Sequence, residues 1–324
     1  MRKLTTSLLG TALALSMSAS PVLAASLERK EVDLSPRFTA GYETKLVMET
    51  TRTMTMEVTP PGSEPQENTT SGNHTIDLLF RVDQADQNGT KISMKIDRIE
   101  FTAKSARGEH TWKSTDPRVA GDNTNQALVT MRPSLGATLT VELDAQGNVV
   151  KADNGGVQIT PGTLSDFIKM VVTPPHIRTR WSPILSPRKS DFTVAEGEAW
   201  SHAEEMVTPP FGIFVSTNNY TLKSSSDSDA TITFTGDFTL RPMNEGAPLL
   251  FEVKSSDVKG TINWDVAKGM FKDYECEQRV ELSGNAQGFP MTQRTHTIVK
   301  IRHADAAGAK PVEAKPAESS SAAQ

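Results

Sequence analysis

From residue 46 to residue 58 the chain alternates. Leu46, Met48, Thr50, Arg52, Met54, Met56 and Val58 fall on one phase; Val47, Glu49, Thr51, Thr53, Thr55 and Glu57 fall on the other. Period two with unlike faces predicts a long, half-buried strand. His74–Val82 repeats the pattern with Ile76, Leu78, Phe80 and Val82 on one side. Asp86-Gln87-Asn88-Gly89 then reads as a turn, because Asn-Gly accepts positive φ. Ile92, Met94 and Ile96 continue on one phase, whereas Ile99 and Phe101 sit on the other. A switch of phase inside one strand predicts a bulge near Asp97–Arg98. Thr138–Leu143 and Asn148–Lys151 flank Asp144-Ala145-Gln146-Gly147 as a further hairpin.

The C-terminal half behaves alike. Strands are predicted at Trp200–Val207, Ile213–Lys223, Thr231–Leu240, Leu249–Ser255, Gly260–Val266, Met270–Ser283 and Thr292–Arg302. In the sixth of these, Tyr274, Cys276, Val280 and Leu282 share one face, while Glu275, Glu277, Arg279 and Glu281 share the other. That is the signature of an antiparallel sheet with one wet face. Helical spacing is rare. Leu164, Phe167, Ile168 and Val171 keep i, i+3, i+4, i+7 intervals behind a capping Thr163, and Pro174-Pro175 ends that helix. A second short helix is predicted at Asn125–Met131. The chain therefore reads as mostly β, with two related lobes of curved, half-barrel-like antiparallel sheet and one or two short helices.

The two lobes are read from an echo. Val-Thr-Pro-Pro occurs at 58–61, 172–175 and 207–210, and two of these copies close segments that open at Gly41 and Gly197. Phe80-Arg81-Val82-Asp83 is answered by Tyr220-Thr221-Leu222-Lys223, and Asp144…Gly147 by Asp265…Gly269. The spacing between partners shrinks along the chain, which excludes a fixed-period solenoid. Shared turn chemistry offers the plainer explanation; the kept order of the blocks favours a duplication.

Both ends read as something other than fold. Arg2 and Lys3, the apolar Leu8–Met17 and the small residues of Val22-Leu23-Ala24 compose a secretory signal peptide over residues 1–24. An exported protein, periplasmic or extracellular, is the consequence. Residues 304–324 repeat Ala-Lys-Pro among Ser and Glu and read as a disordered tail. Between them the reading is an N-terminal β lobe at 25–173, a Pro-rich basic linker at 174–196 and a C-terminal β lobe at 197–303.

Composition narrows the function classes. The 324 residues carry 34 Lys and Arg against 39 Asp and Glu, a net charge of -5. That balance argues against a nucleic-acid partner. A single Cys excludes a disulfide scaffold and a multi-thiolate metal site. Cys276 lies between carboxylates, which raise a thiol pKa, so it reads as a small buried hydrophobe rather than a nucleophile. Beyond the leader, the sequence has no apolar run long enough to span a membrane.

Catalytic chemistry does not assemble along the chain. The six His are scattered without a ligand spacing, and Gly-x-Ser-x-Gly and phosphate loops are missing from the sequence. Asp227-Ser228-Asp229 reads as a solvated turn, and Glu196, Glu198, Glu204 and Glu205 as acids of an edge strand. No cofactor, metal or enzymatic activity is expected.

Two features carry a binding expectation. Met48, Met54, Met56, Met94, Phe167, Phe234, Phe251 and Trp264 give the strand faces a Met and aromatic surplus, to which Phe238 also belongs. They form either an ordinary core or an apolar groove for a lipid or other hydrophobe, between the sheet and the Thr163–Val172 helix. Arg178, Arg180, Trp181, Arg188 and Lys189 lie in an acid-free stretch within an acidic chain. They form either a docking patch for an anionic envelope polymer or lipid headgroups, or a solvated linker.

Phe80–Ile99, Leu143–Val149, Gly197–Trp200 and Trp264–Gly269, in this order, resemble a family of secreted bacterial β proteins of unknown function, over roughly Phe38 to Arg302. The resemblance implies export and a β-rich fold, and supplies no catalytic residues. In architecture alone the reading is similar to periplasmic lipoprotein and lipid carriers, in which a curved sheet surrounds an apolar concavity. The expected function is non-enzymatic binding of a hydrophobic or cell-envelope ligand. The alternative is a structural or interaction protein of the envelope without a small-molecule ligand.

Overall fold

The computed structural model describes residues 30–106, 108–116, 131–158, 165–187, 191–208, 212–243, 251–286 and 288–304. The leader, most of the tail, Arg188, Lys189 and most of the helix expected at Asn125–Met131 lie outside the described residues, as does the side chain of Phe167.

The first half supplies β1 (Glu31–Asp33), β2 (Glu43–Val58), β3 (Gln66–Asp86), β4 (Gly89–Ser105), β5 (Gly108–Lys113), β6 (Thr138–Asp144) and β7 (Val149–Asp153). Two helices follow, α1 (Ser165–Val172) and α2 (Pro174–Leu185). The second half supplies β8 (Thr193–Ala195), β9 (Ala199–Thr208), β10 (Gly212–Ser225), β11 (Asp229–Arg241), β12 (Phe251–Asp265), β13 (Met270–Ala286) and β14 (Phe289–His303). Period two extends further than the apolar residues alone mark, so several strands run beyond their predicted ends. The two strands expected at 249–255 and 260–266 are one strand, β12, carrying a bulge at Val253/Ser255. The bulge expected near Asp97–Arg98 is present: Asp77 faces Arg98, Leu78 faces Ile96, and Asp97 is skipped.

Twelve strands make one antiparallel sheet in the order β7-β6-β4-β3-β2-β14-β13-β12-β11-β10-β9, with β5 added on β4. The two lobes are thus continuous through the β2–β14 pair, which registers Met48 with Ile301 and Met56 with Gln293. A forked ion pair from Arg302 to Glu49, at 2.8 and 3.0 Å, lies across it. β1 pairs separately with β8.

The halves repeat their landmarks. The Gly41 N–H donates to Val82 O (2.8 Å) and the Val82 N–H to Tyr42 O (2.9 Å). The Gly197 N–H donates to Leu222 O (2.8 Å) and the Leu222 N–H to Glu198 O (3.1 Å). Both glycines have positive φ, 82° and 79°, which is why glycine stands at each turn. Bulges follow at Val82/Gln84 and at Leu222/Ser224.

Segment 174–185, expected to be a linker, is helical. Pro174 and Pro175 end α1, as read, but they also begin α2. They occupy its first positions, where a missing N–H leaves no orphaned donor. Ile177, Trp181, Ile184 and Leu185 form one buried stripe of α2. The helix touches β6 and β7 near one edge of the sheet and β9 at the other, with β13 between. A sheet whose two outermost strands meet the same helix is wrapped around it. β7 and β9 do not pair, so the wrap is an open curl filled by α2 rather than a closed barrel.

Candidate functional site

The register of the sheet sets one row of inward side chains across ten strands. It runs Trp112, Phe101, His74, Thr50, Val299, Cys276, Gly260, Phe234, Tyr220, Trp200. Its C-terminal stretch is aromatic. Trp200 stacks on Tyr220 (5.7 Å between centroids), Tyr220 leans on Phe234 (5.4 Å), and Phe234 stacks on Tyr274 (6.0 Å). Gly260 admits this arrangement: a Cβ there would meet the Phe234 ring and the Glu275 carbonyl. The next row is more polar and includes Arg52, Thr297, Gln278, Val258, Asn218 and His202.

Between these rows and α2 lies a cavity of about 160 Å³. The sheet contributes Tyr220, Phe234, Phe238, Val258 and Val299 among its lining residues, together with Asn218, Cys276 and Gln278. Met170 of α1 and His176, Thr179, Arg180 and Pro183 of α2 form the opposite wall. Larger clefts, of about 410, 330 and 280 Å³, lie on the outer face, around the Asp86–Gly89 and Asp144–Gly147 turns, and beside Arg37, Tyr42 and Met270. Arg279 and Arg294 in the first are ion-paired with Glu277 and Glu281.

The charges around the inner cavity are unevenly answered. Arg178 is half exposed and has a Glu204 oxygen at 3.8 Å. Glu204 is buried; it accepts a hydrogen bond from Ser182 Oγ (2.7 Å) and lies 2.7 Å from His202 Nε2. Arg180, two residues on, lines the cavity, and its Nη1 donates to the Met48 thioether at 3.3 Å. A thioether is a weak acceptor. Loss of water pulls the Arg180 pKa down, opposed by Tyr274 and Cys276. Burial pushes both of those groups up, so both are neutral. His74 is only 4% exposed, and its Nε2 has no hydrogen-bond partner among the described residues. Burial, and then the charges of Arg180 and Arg52, push its pKa down to about 3. Arg52 reaches the α1 residue Met170 through Nη1 (3.4 Å).

The sequence candidates are divided by this geometry. Phe234 lines the cavity, Met48 touches it indirectly through Arg180, and Met54 is part-buried beside Arg52. Met94 and Trp264 are fully buried core, and Phe251 is buried away from the lining. Met56 is part-buried on the inner phase of β2, towards its far end. The groove itself is walled mainly by α2, not by the 163–172 helix alone. Arg178, Arg180 and Trp181 do not share an exposed face: Arg178 points to Glu204, Arg180 lines the cavity, and Trp181 is core, edge-on to Phe271 at 6.4 Å. Sequence reasoning missed Tyr220, Val258, Tyr274 and Val299 as neighbours. Tyr220, Tyr274 and Val299 fell within predicted strands and Val258 in the gap between two, and their level along the sheet was not encoded locally. Cys276 is buried, as expected. Among the described residues no cluster of metal-binding side chains is present.

Fold and site together define an open antiparallel sheet curled around a helix, with a small inner cavity. No family model matches the chain, and no curated protein matches it. Among solved structures it is similar to lipovitellin, described for its lipid–protein interactions, with a TM-score of 0.41 and 12% identity over 82% of this chain. This chain spans 25% of the length of the lipovitellin chain. An outer-membrane channel from Pseudomonas putida F1 gives a TM-score of 0.26 at 11% identity, covering 82% of this chain and 96% of that one. DynF of the dynemicin pathway of Micromonospora chersina gives 0.20 at 7%, covering 90% and 92%. At such scores these likenesses carry no argument about this chain.

Proposed function

We propose that this chain is an exported, non-enzymatic binding protein that holds a hydrophobic ligand between α2 and the inner face of its C-terminal strands. The observation that carries the reading is the cavity wall. Tyr220, Phe234, Phe238, Val258 and Val299 face a helix across open space instead of meeting it in close packing. Interiors pack to crystal-like density, so space retained among aromatic side chains favours an occupant. The leader at 1–24 supports export. The paired glycine turns and bulges support reading the halves as two copies of one unit. The resemblance to secreted bacterial β proteins agrees with both.

The test is binding of a neutral fluorescent hydrophobe by the full chain, with native mass spectrometry of the purified protein alongside. Saturable uptake, lost in Phe238→Glu, is expected. Repeated recovery of empty protein without uptake overturns the proposal and favours the envelope interaction role.

A further inference from the structure

We propose that the occupant of this cavity carries a single anionic head, the carboxylate of a long acyl chain, and that Arg180 is the residue that pairs with it; this rests on the hydrophobe-binding reading. The inference starts from two arginines on one helix. Arg178 and Arg180 are two residues apart and therefore point to different sides of α2. The first is half exposed and faces the acid Glu204 at 3.8 Å. The second sits against the sheet, and among the described residues its one hydrogen-bond acceptor is the Met48 thioether at 3.3 Å. The groups that favour its charge are a neutral phenol and a neutral thiol, Tyr274 and Cys276. Glu204, the acid on the same inner face, is already engaged by Ser182 and His202.

A guanidinium offers five N–H donors in a planar fork, and removing it from water without a counter-ion is costly. Arg180 lines a cavity and has no acid partner among the described residues, so a ligand entering that cavity supplies one. A carboxylate matches the fork with two parallel bonds. His74 is not among the lining residues; buried and neutral, it does not compete with Arg180 for the head group. Arg52, on the adjoining inner row, adds a second positive charge nearby. From Arg180 the apolar part of the ligand has Tyr220, Phe234, Phe238 and Val258 to lie along. A cavity of about 160 Å³ is below the ~300–1,000 Å³ usual for ligand pockets, so it takes the head and first carbons of a slender single chain rather than a whole bulky ligand. Head and wall together specify a monoanionic amphiphile.

The experiment titrates the full-length protein with dodecanoate, its methyl ester, dodecyl phosphate and dodecylammonium, each read by displacement of the neutral fluorescent hydrophobe. Dodecanoate is expected to bind at least about tenfold tighter than the ester, and dodecylammonium weakest. Arg180→Met removes the preference for the acid over the ester. Its melting temperature is expected to hold, because Arg180 is part-buried with no acid partner among the described residues, and a retained cooperative transition shows the variant is folded. Arg180→Lys, which keeps the charge and loses the fork, retains part of the preference. Equal affinity for acid and ester in the unaltered protein, or an acid preference that survives Arg180→Met, overturns the proposal while hydrophobe binding stands. Tighter binding of dodecyl phosphate than of dodecanoate overturns the choice of carboxylate. If neither acid nor ester binds, hydrophobe binding fails, and this inference fails with it.

Discussion

The two halves of the sheet present their inner faces in different ways. On the N-terminal strands the inner residues are mainly aliphatic and tightly closed: Leu46, Ile76, Leu78, Ile92 and Ile96 are 0–1% exposed, with Phe80 and Met94 among them. On β9–β14 Leu222, Ile232, Ile262 and Ile301 are closed in the same way, but at the level of the cavity the inner residues are mostly aromatic, sulfur-bearing and polar, and every sheet residue lining the inner cavity comes from these strands. One helix serves both. α2 packs Ile177, Trp181, Ile184 and Leu185 into the interior and turns His176, Thr179, Arg180 and Pro183 to the cavity. A single core can therefore hold the fold with half of its sheet and keep space with the other half. Stability and binding are separable in such a molecule, and substitutions should sort accordingly.

The largest difference is expected between two phenylalanines. Phe80→Ala, in the closed half, should lower unfolding free energy by about 3–5 kcal/mol. Phe238→Ala, on the cavity wall, should cost about 1 kcal/mol, because its ring is only partly packed. Urea denaturation of both variants measures the gap, and equal losses would erase the distinction between the halves.

A pH effect comes next and belongs to the seam where the halves meet. His74 on β3 pairs with Thr50 on β2, beside the β2–β14 joint. Its pKa in the fold is about 3, against about 6.5 in an unfolded chain. Below about 6.5 the unfolded chain takes up a proton that the folded one does not. The contribution is therefore complete above about pH 6.5 and declines by about 1.4 kcal/mol per unit as pH falls towards about 3. Urea unfolding at about pH 7 and about pH 5, with His74→Phe as control, gives the slope. A variant as acid-sensitive as the original protein would remove His74 from the account.

The smallest effect concerns the arginine turned outward. Arg178→Ala breaks a half-exposed pair and should change stability by about 0–1 kcal/mol. It should leave binding of a neutral hydrophobe untouched. A larger loss of either would place Arg178 in the cavity's support and blur its contrast with Arg180.

Much of the architecture was legible residue by residue. Alternation from Leu46 to Val58 gave β2 and its inner phase, the shift between Ile96 and Ile99 gave the bulge, and Asp-Gln-Asn-Gly gave the β3–β4 turn. The Pro174-Pro175 pair was read only as a stop, because a helix end and a helix start use the same residue. The Met and aromatic surplus was real, but it mixed two populations. Met94 and Trp264 are core away from the cavity, while Phe234, also buried, lines it. Period two tells inside from outside and says nothing about height along the curl.

By itself, then, the sequence determined the β class, the direction in which side chains face and the position of most turns, because these follow from the backbone geometry of neighbouring residues. Only the tertiary structure decided that the lobes share one sheet, which requires β2 to pair with β14 from the far end of the chain. It alone decided which of two nearby arginines meets an acid and which lines a cavity. That choice depends on how a helix turns against strands distant in sequence, where burial and charge are set by neighbours that no local pattern names.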